Sequence, residues 1–540
     1  MRKIIYLLTA IVTALGLYVY LAPLKTPSDQ SEWTATQSPP ETTSFSLIEA
    51  TISDLHAALK ADVTSCEDVV QGYLNRIDAY DQSSGLNAIT VKNPEALTRA
   101  KDIDNRLKQN QNLGSLYCVP VLAKDNFDTH DMITSGGSLA LKTSYPPDDA
   151  FMVKKLRDAD AIIIAKTNMA EWAFSPRESI SSSFGQTANA YDLTRTPAGS
   201  SGGTASGVAA NFALVGLGSD TGNSIRGPAS HLALVGIRST IGLTSRDGVI
   251  PLSFDRDIAG PMTRTVEDNA RLFQVIAGYD PKDPYTEAVK DMPLPNYLEA
   301  LKRANLEGKR IGVLKALVDR EDADPEIQEI FYKSLEILSD LGAEIVDPIT
   351  VPNWEVHMEG ENYFCRRFRY DMAQYLKSLG PDAPISDVNQ VLETGQYHPS
   401  AKGGVEFFSS YPADVHPKDW EKPCPDYINH AGRQAFKADV QTVMDQEDLD
   451  VLIYPSWSNP PAPLETARED YKGDNSQRVA PATGLPAITV PMGWYQDKWP
   501  TGLQILARAF DEESLFEIAY AYEQATLHRR PPAQFGPLKN

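Results

Sequence analysis

Residues 196–229 read TPAGSSGGTASGVAANFALVGLGSDTGNSIRGPA. The stretch opens on a turn-rich run, Pro197 to Gly203, with Ser200 and Ser201 set among glycines. An apolar run from Ala205 to Leu217 follows and predicts a helix. A second turn-rich run, Gly218-Ser219-Asp220-Thr221-Gly222-Asn223-Ser224-Ile225-Arg226, closes it. Glycines at this density let the backbone take positive φ and approach a ligand closely. Serines among them are poor packing groups. Either loop alone reads as a surface connection, but two of them flanking one apolar run point to a site.

Outward from this stretch the pattern alternates. Upstream, Leu47 to Asp81 has helical periodicity, with a helix start at Thr64-Ser65, and Glu95 to Gln109 is amphipathic. Val119 to Leu122 is a short apolar strand leading to Lys124. Ala150 to Asp158 reads as helix and Ala161 to Ala165 as a buried strand. Downstream, Leu232 to Leu243 reads strand-like and Thr265 to Ile276 helical. Asp280 to Pro295, rich in Asp, Pro and Lys, reads as a surface linker. Arg310 to Leu314, Pro325 to Leu341 and Glu344 to Val346 form a βαβ-like unit. Val351 to Val440 is aromatic-rich, either core or the lining of an acyl pocket. Val451 to Tyr454, Gly484 to Pro491 and Gly502 to Leu506 are strands, and Leu515 to Thr526 is a closing helix. Such alternation predicts an α/β core.

The chain has 540 residues, 42% of them hydrophobic, and a formal net charge of −22. Phosphate contacts need clustered Lys and Arg, so a nucleic-acid partner is not expected. Arg2 and Lys3 precede a charge-free apolar run, Ile4 to Ala22. Its length approaches the ~20 residues of a membrane span, and bulky Tyr18, Tyr20 and Pro23 make a poor cleavage site. Residues 1–23 therefore read as a signal anchor or signal peptide, with the N-terminus cytoplasmic. Residues 24–44, polar and rich in Ser, Thr and Pro, read as a disordered tether. Residues 45–530 are the folded domain: a core at about 118–276, a variable region at about 280–445, and C-terminal core strands and helix at 446–530. Cys66, Cys118, Cys365 and Cys424 fit no zinc or redox motif. Unpaired buried thiols are the expectation, with Cys365 and Cys424 the first pair to test for a bridge. Oligomeric state is open between monomer and homodimer.

A serine nucleophile needs a base. None of the eight histidines sits in a recognisable triad segment, and His231 falls inside an apolar run. A lysine serves if burial keeps it neutral. Lys124 follows an apolar strand that would bury it, although an ion pair with Asp125 or Asp128 is the simpler reading. Two decoys are set aside. Gly199-Ser200-Ser201-Gly202-Gly203 matches a nucleophile elbow centred on Ser201, but Ala190 to Leu193 is a poor preceding strand. Gly216-Leu217-Gly218 with Gly222 misses dinucleotide spacing by one residue.

Three segments in order, Val119 to Asn126, AGSSGG at 198–203 and DTGNSIR at 220–226, resemble the amidase signature family of serine hydrolases. The resemblance runs from about Leu47 to Thr526 and is weakest between Ala277 and Asp450. It implies a single large α/β domain, with a mixed central sheet covered by helices on both faces, beyond the N-terminal anchor or signal helix. It also implies carboxamide hydrolysis with no metal or cofactor. Lys124, Ser200 and Ser224 match its catalytic positions, with Ser200 bridging lysine and nucleophile across a cis peptide. Backbone N–H groups of Thr221, Gly222, Asn223 and Ser224 match its oxyanion hole; Ala173, Phe174 and Ser201 are expected to touch substrate. Two positions depart from the pattern: Asn223 stands where glycine is usual, and Ala198 replaces the first glycine. Asp220 and Arg226 are expected to hold the turn together. The resemblance leaves three readings: a stand-alone amidase acting on a small amide outside the cytoplasm, the glutaminase subunit of a tRNA-dependent amidotransferase, or a non-catalytic binding protein. The membrane segment and acidity disfavour the second; retention of Lys124, Ser200 and Ser224 disfavours the third.

Overall fold

Short apolar runs separated by turn signals become the strands of one large sheet. The computed structural model describes residues 45–359 and 363–538. In chain order the strands are β1 (Ile89–Lys92), β2 (Pro120–Lys124), β3 (Ile162–Thr167), β4 (Val215–Asp220), β5 (Val235–Arg238), β6 (Ile258–Thr263), β7 (Arg310–Val313), β8 (Glu344–Val346), β9 (Val451–Pro455), β10 (Ala487–Tyr495) and β11 (Trp499–Leu506). They form one mixed sheet in the order β1-β3-β2-β4-β6-β5-β10-β11-β9-β7-β8. β3, β2 and β4 run parallel, next to the β1 edge, every residue of them buried. Strands buried on both faces read as continuous apolar runs, which is why β2 and β3 were legible.

Two short helices serve the site: α1 (Gly202–Ala209) and α2 (Arg226–His231). The run Ala205 to Leu217 is therefore not one helix. It is the end of α1, a turn with Asn211 at φ 58°, and β4. Asparagine tolerates this left-handed geometry, which ends a helix. Leu47 to Asp81 forms helices Ile52–Lys60 and Cys66–Ser84, the second starting at the predicted Thr64-Ser65, and each is capped by a hydroxyl, Thr51 or Ser65. The strand expected over Leu232 to Leu243 is only β5.

Residues 280–295 are not a surface linker. Asp283 is fully buried and pairs with Arg246 through Nε at 2.7 Å, pinning the segment to the core. The cysteines are not free thiols. Cys66 bonds Cys118 and Cys365 bonds Cys424. Residue spacing could not show that each pair converges in space. The expected anchor and tether, residues 1–44, lie outside the described residues. Among the described residues no helix is long and apolar enough to cross a membrane.

The aromatic-rich region divides. Phe368, Tyr375 and Leu376 form a second core cluster with Trp172 and Leu141. Phe408 of the same cluster, and Phe364 packed against it, also line the cavity.

Candidate active site

β2 ends at Lys124 and β4 ends at Ser219-Asp220, on adjacent parallel strands. Parallel neighbours bring both C-terminal ends to one edge, where α/β sheets carry their sites. The loop into α1 delivers Ser200 to the same edge. Gly203 lets it do so: a Cβ there would lie 2.2 Å from the Asn168 carbonyl oxygen. The Gly199–Ser200 peptide is cis, as the resemblance implied.

Lys124 is fully buried. Its Nζ donates to Ser200 Oγ at 2.7 Å and to Ser219 Oγ at 2.8 Å. Asn126 Nδ2 donates to the same Ser219 oxygen at 2.9 Å. Burial pulls the ammonium down to about 7, outweighing the pull of Asp220 and Asp257 in the other direction. The ion pair weighed for Lys124 is taken up elsewhere: Asp125 lies 3.7 Å from Lys166, and Asp128 accepts from Tyr375 Oη at 2.8 Å.

Beyond β4 the chain turns through residues 220–224. Three guanidiniums take its carbonyls in succession. Arg238 Nη1 donates to the Asp220 carbonyl, Arg256 Nε to Thr221 O at 2.9 Å, and Arg226 Nη2 to Gly222 O at 2.7 Å. The Asn223 carbonyl accepts from Gly227 N at 2.7 Å. A trans peptide holds C=O and N–H on opposite sides. The N–H groups of Thr221, Gly222, Asn223 and Ser224 therefore point away from those donors. All four residues line a cavity of about 590 Å³. Asp220 and Arg226 do hold the turn, with Nε 3.1 Å from the carboxylate. Burial disfavours the Asp220 charge, but Arg226 and Arg238 outweigh it and hold the carboxyl down at about 2.

Ser224 lies at the cavity wall, only 6% exposed. Its hydroxyl donates to Asn223 Oδ1 at 3.4 Å, while Asn223 Nδ2 reaches the Pro176 carbonyl at 3.3 Å. Ala173 and Phe174 also line the cavity. Ser201 does not. It is fully buried under the turn and donates to the Ser219 carbonyl at 3.1 Å, which removes it both from substrate contact and from the elbow reading. His231 is buried against Trp457, and burial lowers it to about 3.

Sequence reading missed Ser219, Asn126 and two of the three arginines around the turn. Ser219 and Asn126 stand inside segments already singled out, so their position was a signal. Arg238 and Arg256 lie in other strands and loops, and only the fold joins them to the turn.

A buried lysine on a serine hydroxyl, beside a turn of inward N–H groups, matches a known pattern across the whole domain. The family model described as Amidase matches residues 68–516. The chain belongs to the amidase signature family. A probable amidase of Arabidopsis thaliana is 32% identical over 508 residues, covering 90% of this chain and 92% of that one. One component of the glutamyl-tRNA(Gln) amidotransferase of Acidothermus cellulolyticus is 33% identical, covering 89% and 95%. The structure of native peptide amidase from Stenotrophomonas maltophilia superposes with a TM-score of 0.79 at 34% identity, covering 90% and 98%. Amidase signature members hydrolyse amides, and this chain keeps their single α/β domain.

Proposed function

We propose that the protein is a stand-alone amidase that hydrolyses a carboxamide through a Ser224 acyl-enzyme. The observation that supports this most is the fully buried Lys124 bonded to Ser200 Oγ at 2.7 Å. In this reading the Ser224 hydroxyl turns from Asn223 toward Ser200. Its proton passes to Ser200 as the Ser200 proton passes to neutral Lys124. Ser224 Oγ bonds the amide carbon, and the negative oxygen is held by the N–H groups of residues 221–224. The proton returns along the same path to the leaving nitrogen, which departs as ammonia or amine. Water then repeats the sequence on the ester and releases the acid.

The cavity, aromatic on the Phe174, Phe364 and Phe408 side, fits a medium-sized acyl group. Two disulfides favour an oxidising compartment. That agrees with a catalytic domain held outside the cytoplasm by residues 1–23, and disfavours the amidotransferase reading despite the relatives' names. The test is ammonia release from a panel of primary amides, with fluorophosphonate labelling mapped by peptide mass. Labelling on Ser224 and its loss in Ser224→Ala support the reading; labelling on Ser201 overturns it.

A further inference from the structure

The chain carries 22 net negative charges, yet its cavity wall is basic. Arg256, Arg320, Lys472 and Arg478 line it against two carboxylates, Asp322 and Asp474. The charges are unequally engaged. Arg256 holds the Thr221 carbonyl. Arg320 is clasped by Asp322, two contacts at 2.8 Å. Asp474 accepts from Tyr471 Oη at 2.8 Å, and burial pushes it up to about 6. Arg478 and Lys472 remain. Among the described residues, neither side chain has a hydrogen-bond or ion-pair partner, and Arg478 is half-buried.

Their loop covers the oxyanion turn. Gln477 Oε1 would lie 2.6 Å from a Cβ on Gly222, so Arg478 follows directly on a residue in contact with that turn. The same loop is held from within, with Gln477 Nε2 donating to Tyr471 Oη at 2.8 Å. A half-buried guanidinium without a partner, on a fixed loop, is a waiting anion receptor. Its planar fork matches a carboxylate bidentately. Cations lining a cleft also raise the local concentration of anions against an otherwise acidic surface.

We infer that this arm of the cavity binds a carboxylate, and that the physiological amide bears a carboxylate on its acyl portion, recognised by Arg478 with Lys472 at the rim. This rests on the amidase reading for the location of the reacting amide, but the binding claim can be tested without turnover. The reaction products are carboxylic acids, so unreactive acids serve as probes. Calorimetric titration compares aliphatic diacids, from succinate to suberate, with monoacids of equal length, on wild type and Arg478→Gln. At one chain length or more the diacid should bind at least tenfold tighter, and Arg478→Gln should bring the ratio to within about twofold of one. Lys472→Gln should lower it less, and added salt should weaken the diacid preferentially. Diacids no tighter than monoacids at every length, or a preference unchanged in Arg478→Gln, would overturn the inference. Ammonia release from primary amides is measured separately, so failure of the amidase reading leaves the binding result standing on its own.

Discussion

Lys124 makes the sharpest demand on the structure. Complete burial pulls it from 10.5 to about 7, and the base form is the neutral amine. The sign is fixed: below pH 7 the ammonium forms and the relay stops. The rate should therefore fall tenfold per pH unit on the acid side and level off above about pH 8. Lys124→Ala should lose ~10²–10⁴-fold in kcat, the usual worth of a positioned base, and the acid limb should vanish with it. Asp474 is the competing source, since it lines the cavity and sits at about 6. The limb should survive in Asp474→Asn. A second readout is thermodynamic. Between pH 7 and 10.5 the unfolded chain holds a proton on residue 124 that the folded chain does not. Stability should climb with pH across that window by ~1.4 kcal/mol per unit relative to Lys124→Met, and the extra slope should end below pH 7. Stopped-flow or steady-state kinetics from pH 5 to 9.5, with denaturant unfolding of both proteins at pH 7.5 and 9, checks both. A limb near pH 7 that persists in Lys124→Ala, or near-native turnover in that variant, would refute the argument.

Ser219→Ala removes the hydroxyl that accepts from both Lys124 and Asn126; kcat should fall about tenfold with KM little changed, as for a lost positioning contact worth ~1–1.5 kcal/mol. Gly203→Ala places a Cβ against the Asn168 backbone, which cannot withdraw; a melting scan should show destabilisation of ~1–3 kcal/mol. Gly403→Ala, with nothing within 4 Å and a helical setting, should instead gain up to ~1 kcal/mol in the same scan. Replacing Cys365 and Cys424 with serine opens a loop of 59 residues and should cost ~4 kcal/mol by denaturant titration.

The fold was legible where burial is two-sided. β2 and β3 show as apolar runs, and helix starts show at Ser65 and Thr265 through their hydroxyl caps. It failed where one apolar run served two elements, as at Ala205 to Leu217, because period cannot separate a buried helix from a buried strand. Lys124, Ser200 and the turn at 221–224 were legible only through motif resemblance. One lysine after a strand is ordinary until the fold sets Ser200 against it. Of the arginine collar around the turn, Arg226 was legible as a turn-holding residue, but Arg238 and Arg256 were not. Its members come from a helix, a strand and a loop, and their common target is a row of carbonyls that no side chain announces.

In the proposed mechanism, that collar is what lets a lysine serve as the base. Asp220 and Asp257 lie near Lys124 and favour its charged form. Left alone, they would hold it protonated at neutral pH. Arg226 and Arg238 bind Asp220 directly, at 3.1 and 3.0 Å, and Asp257 accepts from Thr221 Oγ1 at 2.5 Å. With the nearest carboxylates engaged, burial decides the lysine's state. The same two guanidiniums grip the outward carbonyls of Gly222 and Asp220, and Arg256 grips that of Thr221, so the inward N–H groups are fixed before any oxyanion forms. Pre-set donors of that kind need no reorganisation at the moment of reaction. On the proposed mechanism, one set of buried charges does two jobs: it favours the neutral form of Lys124 and aims the turn that would hold the oxyanion. A substitution such as Arg238→Met should accordingly damage both at once, shifting the acid limb to higher pH as Asp220 regains its hold on Lys124 while lowering the plateau. A variant that changed the plateau alone would show that the two effects are separable and that the collar acts only on the turn.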